Sequence, residues 1–137
     1  MSTAAAAPAA GVGGPSRIEV YGKKNPNLPF HPAVRAGDFV FVSGQGPVDP
    51  ATGALPGDDI RAQVRQTLSN IAAILDAAGA TMDDVVRVDA FLADFADFDA
   101  YDEVYRGFFQ GDLPARTTVQ AGLGDIKVEI AVVACLT

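Results

Sequence analysis

The stretch IRAQVRQTLSNIAAILDAAG, residues 60–79, decides the fold because it predicts a long amphipathic helix. Its apolar residues recur three or four positions apart, which places them on one helical face. They are Ile60, Val64, Leu68, Ile71, Ile74 and Leu75. Asp58 or Asp59 can cap the amino end, where a carboxylate accepts backbone N–H bonds. Gly79 predicts the carboxyl end of the helix.

Strands are predicted on the amino-terminal side of this helix. Residues 17–21 (RIEVY) alternate between polar and apolar side chains and predict a short first strand. Residues 33–45 (AVRAGDFVFVSGQ) predict two strands joined by a hairpin turn at residues 36–38. Residues 47–56 consist of turn-forming residues, which indicates a loop before the helix.

A strand, a second helix and two further strands are predicted after residue 79. Val85–Leu92 is β-prone, and Asp97 can cap a helix that ends at Gly111. Aromatic and apolar side chains recur in that helix at helical spacing, which we interpret as core packing rather than a cofactor site. They are Phe98, Tyr101, Val104, Tyr105, Phe108 and Phe109. The last two strands are predicted at residues 117–120 and 126–136.

The predicted order β-ββ-α-β-α-β-β places each helix between strands. Both helices can therefore cover one face of a single mixed sheet, an α+β fold. Residues 39–42 and 130–136 are apolar on both sides of their strands, so the second sheet face also needs cover. Because two helices cannot cover both faces, we expect the chain to self-associate through its bare sheet face.

Length and composition favour one domain with a short tail. A chain of 137 residues fits a single domain with a sizeable core. Residues 1–16 are almost wholly Ala, Gly, Pro and Ser, which predicts a disordered tail. The folded domain is then expected over residues 17–137.

The charge and the cysteine count restrict the partners. A net charge of −7 argues against binding nucleic acid and suits a small-molecule partner. Cys135 is the only cysteine and His31 the only histidine, which argues against a disulfide or a His/Cys metal site in one chain. The sequence contains neither a secretory signal pattern nor an apolar run long enough to span a membrane. A cytoplasmic location is expected.

Arg116 and Glu129 are the first candidates for chemistry. Arg116 follows Pro114 and begins a β-prone run, while Glu129 interrupts an apolar strand. A carboxylate within an apolar strand is costly unless it is paired or hydrogen-bonded, so the simplest expectation places it near Arg116. Such a pair can be a structural ion pair, or it can handle a small carboxylate substrate and a water.

Four segments resemble the RidA/YjgF family of enamine/imine deaminases. They are FVFVSGQGPVDPATG at 39–53, IRAQVRQTLSNIAAILDAAGATMDDVVRV at 60–88, DFDAYDEVYRGFF at 97–109 and PARTTVQAGLGDIKVEIAVVA at 114–134. Together they cover nearly everything from about residue 30 to the carboxyl terminus, in the family's order. The PxRxxV segment followed by the VEI strand is the most specific part.

The resemblance implies a chorismate-mutase-like α+β fold whose sheets pack around a threefold axis. Three active sites are then expected in the clefts between the subunits of the homotrimer. The implied activity is hydrolysis of reactive enamines and imines, such as 2-aminoacrylate, to 2-keto acids and ammonia. No metal or organic cofactor is implied.

The resemblance also assigns roles to residues of this chain. Arg116 matches the arginine that grips the substrate carboxylate, a task suited to its planar fork. Glu129 matches the glutamate that positions or activates the hydrolytic water. Ser43 and Gly44 match the Ser-Gly pair at the cleft wall. We expect Arg116 and Glu129 to belong to one subunit.

Several substrate-binding positions depart from the family pattern. Thr118 stands where many members have Cys, and Asp102 stands where many have Asn. Phe30 replaces the usual site tyrosine, which keeps an apolar wall and loses a hydroxyl donor. His31 follows it and could supply a replacement polar group, although a lone loop histidine is usually only solvated. Phe30 and His31 are expected to complete the cleft from the loop side.

Two alternatives to the simple deaminase remain open. One is a pathway-dedicated relative that acts on a larger imine, enamine or aminomuconate-like compound, consistent with the more apolar wall at Phe30. The other is a non-catalytic, metabolite-binding trimer. Ribonuclease activity, proposed for some members of the family, fits poorly with the net charge of −7.

Overall fold

The computed structural model describes residues 14–18 and 27–137, and it contains one six-stranded sheet and two α-helices. The elements follow the predicted order of strands and helices. They are β1 (Ser16–Ile18), β2 (Ala33–Ala36), β3 (Phe39–Gln45), α1 (Ile60–Ala77), β4 (Val85–Leu92), α2 (Phe98–Arg106), β5 (Ala115–Gln120) and β6 (Val128–Cys135).

The strands are ordered β1-β2-β3-β6-β4-β5 across the sheet. All neighbouring strands are antiparallel except β4 and β5, which are parallel. The last strand along the chain therefore lies in the middle of the sheet, with β4 between it and β5. This insertion determines which candidate site residues can meet.

Helix α1 has the ends that its sequence predicts. The Asp59 side chain accepts a hydrogen bond from the Arg61 backbone N–H at 3.1 Å, which caps the first turn. Gly79 follows the last turn with φ of +81°, a left-handed conformation that glycine adopts at low cost. The predicted apolar face is buried, so the prediction of this helix is confirmed.

Helix α2 is shorter than predicted. It ends at Arg106 with Gly107 as its cap, four residues before the predicted stop at Gly111. Phe109 lies beyond the helix and is still buried against Tyr105, with ring centroids 4.9 Å apart. Asp97 lies at the N-cap position as predicted, but its side chain makes no capping hydrogen bond.

The two faces of the sheet have different environments. Both helices pack on one face, where residues such as Val40, Val88 and Ile130 are fully buried. The opposite face carries Phe39 and Phe41, which are 44% and 48% exposed. The predicted α+β fold, a mixed sheet with two helices on one face, is confirmed.

The amino-terminal predictions are only partly covered by the described residues. Strand β1 begins at Ser16, one residue earlier than predicted, and pairs with β2. Residues 19–21 of the predicted strand and residues 1–13 of the predicted tail lie outside the described residues. Within the described part of the chain, neither helix is long and apolar enough to span a membrane.

Candidate active site

Arg116 lies on β5 at the edge of the sheet and points toward the helices. Its backbone is in register with Val88 of β4, and paired residues on neighbouring strands project to the same face. The guanidinium carbon lies 4.6 Å from the ring centroid of Tyr105, 5.1 Å from that of Tyr101 and 5.7 Å from that of Phe98. These distances are within the range of cation–π attraction.

The aromatic stripe of α2 therefore has two roles. Tyr101 and Tyr105 are buried in the core, as the helical spacing predicts. The same rings also contact the Arg116 guanidinium, which the helical spacing alone does not predict. These contacts hold the guanidinium against the rings, and its N–H groups can donate to polar partners.

Asp102 of α2 is the ion-pair partner of Arg116. Its Oδ1 lies 2.8 Å from Arg116 Nη1, and its Oδ2 lies 3.3 Å from Arg106 Nε. The side chains of Arg116 and Asp102 are only 22% and 23% exposed. Nη1 is buried, and the Asp102 carboxylate is its ion-pair partner. The remaining N–H groups of the guanidinium can donate hydrogen bonds to an anionic ligand.

Thr118 lies on the same face as Arg116, two residues further along β5. Its Oγ1 is 2.8 Å from the Tyr101 hydroxyl, so the side chain orients that ring. Burial raises the pKa of Tyr101, while the Thr118 hydrogen bond and the charge of Arg116 oppose the rise. Burial also raises the pKa of Tyr105 to about 12, again opposed by Arg116. Both phenols are therefore neutral near pH 7.

Glu129 lies on the opposite face of the sheet from Arg116. It pairs with Phe91 of β4, whereas Arg116 pairs with Val88, and residues three apart on a strand project to opposite faces. Standard sheet dimensions also separate their backbones by about 10 Å across the strands and about 10 Å along them. The predicted Arg116–Glu129 pair is therefore wrong within one copy, because β4 lies between the two strands.

Gly44 of β3 is the neighbour of the Glu129 carboxylate. A Cβ added to Gly44 would lie 2.5 Å from Glu129 Oε2, closer than real Cβ contacts allow. Glu129 is half-buried and makes no hydrogen bond or ion pair with the described residues. The carboxylate consequently lies against bare backbone and keeps its acceptor positions free for water or a ligand.

Ser43 holds the loop that carries Phe30 and His31. Its Oγ donates to the His31 carbonyl at 2.7 Å, and its backbone N–H donates to the Pro32 carbonyl at 2.9 Å. In this structure the Ser43 hydroxyl thus anchors a loop. The His31 side chain makes no hydrogen bond within the described residues, whereas its carbonyl is the acceptor for Ser43.

Phe30 is 49% exposed and lines an apolar pocket of about 350 Å³. The pocket lies between the loop anchored by Ser43, the loop after β3 and the side of α1. Its other lining residues are Leu28, Pro32, Gly44, Gln45, Gly46, Val48, Pro50, Asn70 and Ile74. Neither Arg116 nor Glu129 lines it.

Two polar residues of α1 form structural hydrogen bonds that the sequence does not predict. Asn70 donates to the carbonyls of Gly46 and Val48 at 3.1 and 2.7 Å, which holds one wall of the pocket. Gln63 is buried, donates to the Gly57 carbonyl and accepts from the Lys127 backbone N–H. One feature of the sequence could have indicated Gln63. It lies three residues after Ile60 and one before Val64, which places it next to the apolar face of the helix.

The predicted site residues thus form two groups. Arg116, Asp102 and Thr118 lie together on the helix-covered face, at the β5 edge of the sheet. Glu129 lies with Gly44 on the other side, next to the loop region of Ser43, Phe30 and His31. In the described part of the chain, no three His, Cys, Asp or Glu side chains are close enough together to hold a metal ion. The prediction that no cofactor is needed stays a prediction.

Comparisons with known proteins identify relatives along most of the chain. The sequence model of the family described as endoribonuclease L-PSP matches residues 22–136. A RutC family protein of Pyrococcus horikoshii is 43% identical over 108 residues, which cover 77% of this chain and 86% of that protein.

Solved structures agree with the sequence match. A protein of the conserved Rid family, YyfA from Yersinia pestis, superposes with a TM-score of 0.83 at 35% identity and covers 88% of this chain and 98% of its own. TdcF of E. coli with bound serine superposes with a TM-score of 0.81 at 36% identity over the same shares. The similarity therefore extends over nearly the whole length of both relatives.

Proposed function

Because the chain belongs to the endoribonuclease L-PSP family, the family of the YjgF and RidA proteins, we propose that it hydrolyses reactive enamines and imines. The proposed substrates resemble 2-aminoacrylate and carry a carboxylate, and the products are a 2-keto acid and ammonia. The observation that carries the proposal is the mostly buried Arg116 guanidinium, which lies over the rings of Tyr101 and Tyr105 and has N–H donors beyond the one that faces Asp102.

Arg116 is suited to clamp the substrate carboxylate. Its planar group presents several N–H donors, and contacts with the rings of Tyr101 and Tyr105 help to hold it in place. The rings also exclude water from its face, which strengthens charge–charge attraction at the free edge. The relative TdcF was solved with serine, a small carboxylate-bearing molecule, which is consistent with this role.

Glu129 is proposed to position the attacking water. The enamine first tautomerises to the imine, and the water oxygen then attacks the imine carbon while Glu129 accepts a proton from it. The C=N electron pair moves to nitrogen, which takes up a proton to give a carbinolamine. Collapse of this intermediate forms the ketone C=O bond and expels ammonia, so water and imine together balance the keto acid and ammonia.

Two copies of the chain are needed to complete this site. Within one copy Arg116 and Glu129 lie on opposite faces of the sheet, so one molecule of substrate cannot contact both. The open face also exposes Phe39, Phe41 and Val119, an apolar surface of the kind that marks an interface. We therefore propose a homotrimer in which Arg116 of one copy faces Glu129 of the next.

The pocket beside Phe30 favours a second candidate substrate. A volume of about 350 Å³ with an apolar lining could take a larger side chain than that of 2-aminoacrylate. A pathway-dedicated enzyme for a larger imine, enamine or aminomuconate-like compound would use such space. Imines as small as the one formed from 2-aminoacrylate would then be hydrolysed poorly, whereas imines with a long apolar side chain would be hydrolysed well.

Two other functions would give different experimental results. A non-catalytic trimer would bind keto acids without accelerating imine hydrolysis. A ribonuclease, as the family description suggests, would have to bring phosphates to a chain of net charge −7, which is unfavourable. The proposed location is the cytoplasm, which is consistent with a single cysteine and no disulfide.

The proposal is tested by generating 2-iminopropanoate in the assay and following its loss. An amino-acid oxidase or a serine dehydratase supplies the imine, and wild-type protein should accelerate formation of the keto acid above the rate in buffer. Arg116→Ala should lose most of this acceleration, since the carboxylate clamp is gone. Arg65→Ala, which removes an exposed arginine on α1, is the matched control and should retain it. Equal rates with and without wild-type protein for small and large imines would reject the proposal.

A further inference from the structure

We propose that Asp102 is a specificity-determining residue that limits the site to substrates with a single carboxylate. This inference rests on the proposed role of Arg116 as the carboxylate clamp. Asp102 acts as an internal carboxylate that already holds one edge of the guanidinium. A ligand with two carboxylates then meets a site that lacks the positive charge to bind both.

The contacts around Arg116 leave a ligand little access. Rings of α2 lie against the guanidinium, with the Tyr105 centroid at 4.6 Å and the Tyr101 centroid at 5.1 Å, so an anion cannot approach from the side that they occupy. Asp102 Oδ1 lies 2.8 Å from Nη1 and occupies a further part of the guanidinium. One substrate carboxylate can take the remaining edge.

The charges of the described cluster support the same limit. Arg116 and Asp102 are mostly buried and neutralise each other at short range. Arg106 contacts the other Asp102 oxygen, but its side chain is 66% exposed, so solvent and salt screen most of its charge. Tyr101 and Tyr105 are neutral near pH 7 and add no charge. In the proposed oligomer, Glu129 of the next copy adds a negative charge and further disfavours a second carboxylate.

Asp102→Asn removes the negative charge of the side chain while keeping its shape. Asparagine keeps an oxygen that can accept from Arg116 and nearly the same volume. The substitution removes one negative charge close to the bound anion, which should strengthen binding of a monocarboxylate by about tenfold. A dicarboxylate should gain more, because its second carboxylate is repelled as well.

The matched control lies one residue further along α2. Glu103→Gln makes the same change of charge on the same helix, at an exposed side chain that pairs with Arg61 at 2.9 Å. It does not contact Arg116. A general effect of net charge would appear in both variants, whereas the proposed effect appears only in Asp102→Asn.

The test is calorimetric titration of the full-length assembled protein with 2-oxobutanoate and with 2-oxoglutarate. Wild type should prefer 2-oxobutanoate, Asp102→Asn should bind both more tightly with the larger gain for 2-oxoglutarate, and Glu103→Gln should match wild type. Arg116→Ala in the Asp102→Asn background should abolish the gain. Weaker binding of both ligands by Asp102→Asn, an equal gain for both, or no binding to either protein would overturn the inference.

This readout does not need turnover, so the two proposals can fail separately. If wild type binds as expected but never accelerates imine hydrolysis, the proposed function fails and the charge limit stands. If wild type hydrolyses imines and the preference of Asp102→Asn is unchanged, the inference about Asp102 fails and the proposed function stands.

Discussion

The helix-covered face and the open face of the sheet each carry one half of the candidate site, and the two halves are built differently. On the covered face, Arg116 lies on buried aromatic rings and pairs with Asp102. On the open face, Glu129 lies against the backbone of Gly44 without a hydrogen-bond partner in the described chain. The first half is held in place by packing, and the second is a half-buried carboxylate with free acceptor positions.

This difference indicates a division of labour between binding and chemistry. A guanidinium fixed before the substrate arrives loses little freedom on binding, which suits a clamp. A carboxylate with free acceptor positions can hold and deprotonate a water, which suits a general base. Because the halves lie back to back in one copy, they can act on one substrate only when a second copy supplies the missing half.

The largest expected effect separates these two roles. Glu129→Gln keeps the size of the side chain and removes the base, so kcat for imine hydrolysis should fall by about 10² to 10⁴. Binding of 2-oxobutanoate should persist, since Arg116 is intact, whereas Arg116→Ala should lose it. Steady-state kinetics and calorimetry measure both. A Glu129→Gln variant with wild-type kcat would remove Glu129 from the mechanism.

A pair of truncations compares the packing of the two faces. Leu68→Ala on α1 leaves a cavity in the core and should lower the free energy of unfolding by about 3 kcal/mol. Phe41→Ala on the open face leaves no enclosed cavity and should instead weaken assembly, so that its unfolding midpoint depends more strongly on protein concentration. Urea titrations at several concentrations and light scattering distinguish them. The proposed interface is wrong if Phe41→Ala leaves the mass and its concentration dependence unchanged.

Gly44→Ala tests how closely the Glu129 carboxylate is positioned. The added Cβ would lie 2.5 Å from Oε2 and must push the flexible carboxylate away. We expect kcat to fall by about tenfold with KM nearly unchanged, as for a displaced catalytic group. Gly111→Ala is the control, because its Cβ meets no atom within 4 Å. An equal loss in both variants would mean that the backbone at Gly44 does not set the position.

The smallest effect concerns the alkaline stability of the covered face. The pKa of Tyr105 is raised to about 12 from an ordinary value of 10.0, so the unfolded chain loses this proton first. The contribution of Tyr105 to the free energy of unfolding is fully present below pH 10 and is lost as the pH rises from there toward about 12. Tyr105→Phe should flatten this part of the pH profile and change little at pH 7, since the hydroxyl has no hydrogen-bond partner among the described residues. Urea midpoints measured at about pH 8 and about pH 10.5 test the slope. A wild-type slope in Tyr105→Phe would show that other groups cause the alkaline loss.

Local sequence signals predicted the elements but not how the site residues are distributed between the two faces. The periodic apolar stripe, Asp59 and Gly79 define α1 because the signals lie within the helix itself. Helix α2 was predicted too long, because Phe108 and Phe109 continue the apolar pattern past Gly107. Arg116 and Glu129 were predicted to meet because the adjacency of β5 and β6 along the chain does not reveal that β4 lies between them.

The ion pair between Arg116 and Asp102 could not be predicted from the sequence either. Asp102 could be compared with the asparagine of the family, yet its short contact with Arg116 depends on how α2 packs over β5. The buried bonds of Gln63 likewise join Gly57 and Lys127, which are far apart along the chain. Such contacts depend on the tertiary arrangement, which local propensity and periodicity do not determine.

The most direct test of a site shared between copies is complementation between Arg116→Ala and Glu129→Gln. Each variant alone should be nearly inactive in imine hydrolysis. Co-expressed at equal levels and assembled at random, they should recover about a quarter of the wild-type rate per chain, because a site is complete when an intact Arg116 meets an intact Glu129 from the neighbouring copy. A mixed assembly no more active than the two separate variants would contradict the account, since both halves would then have to come from one copy.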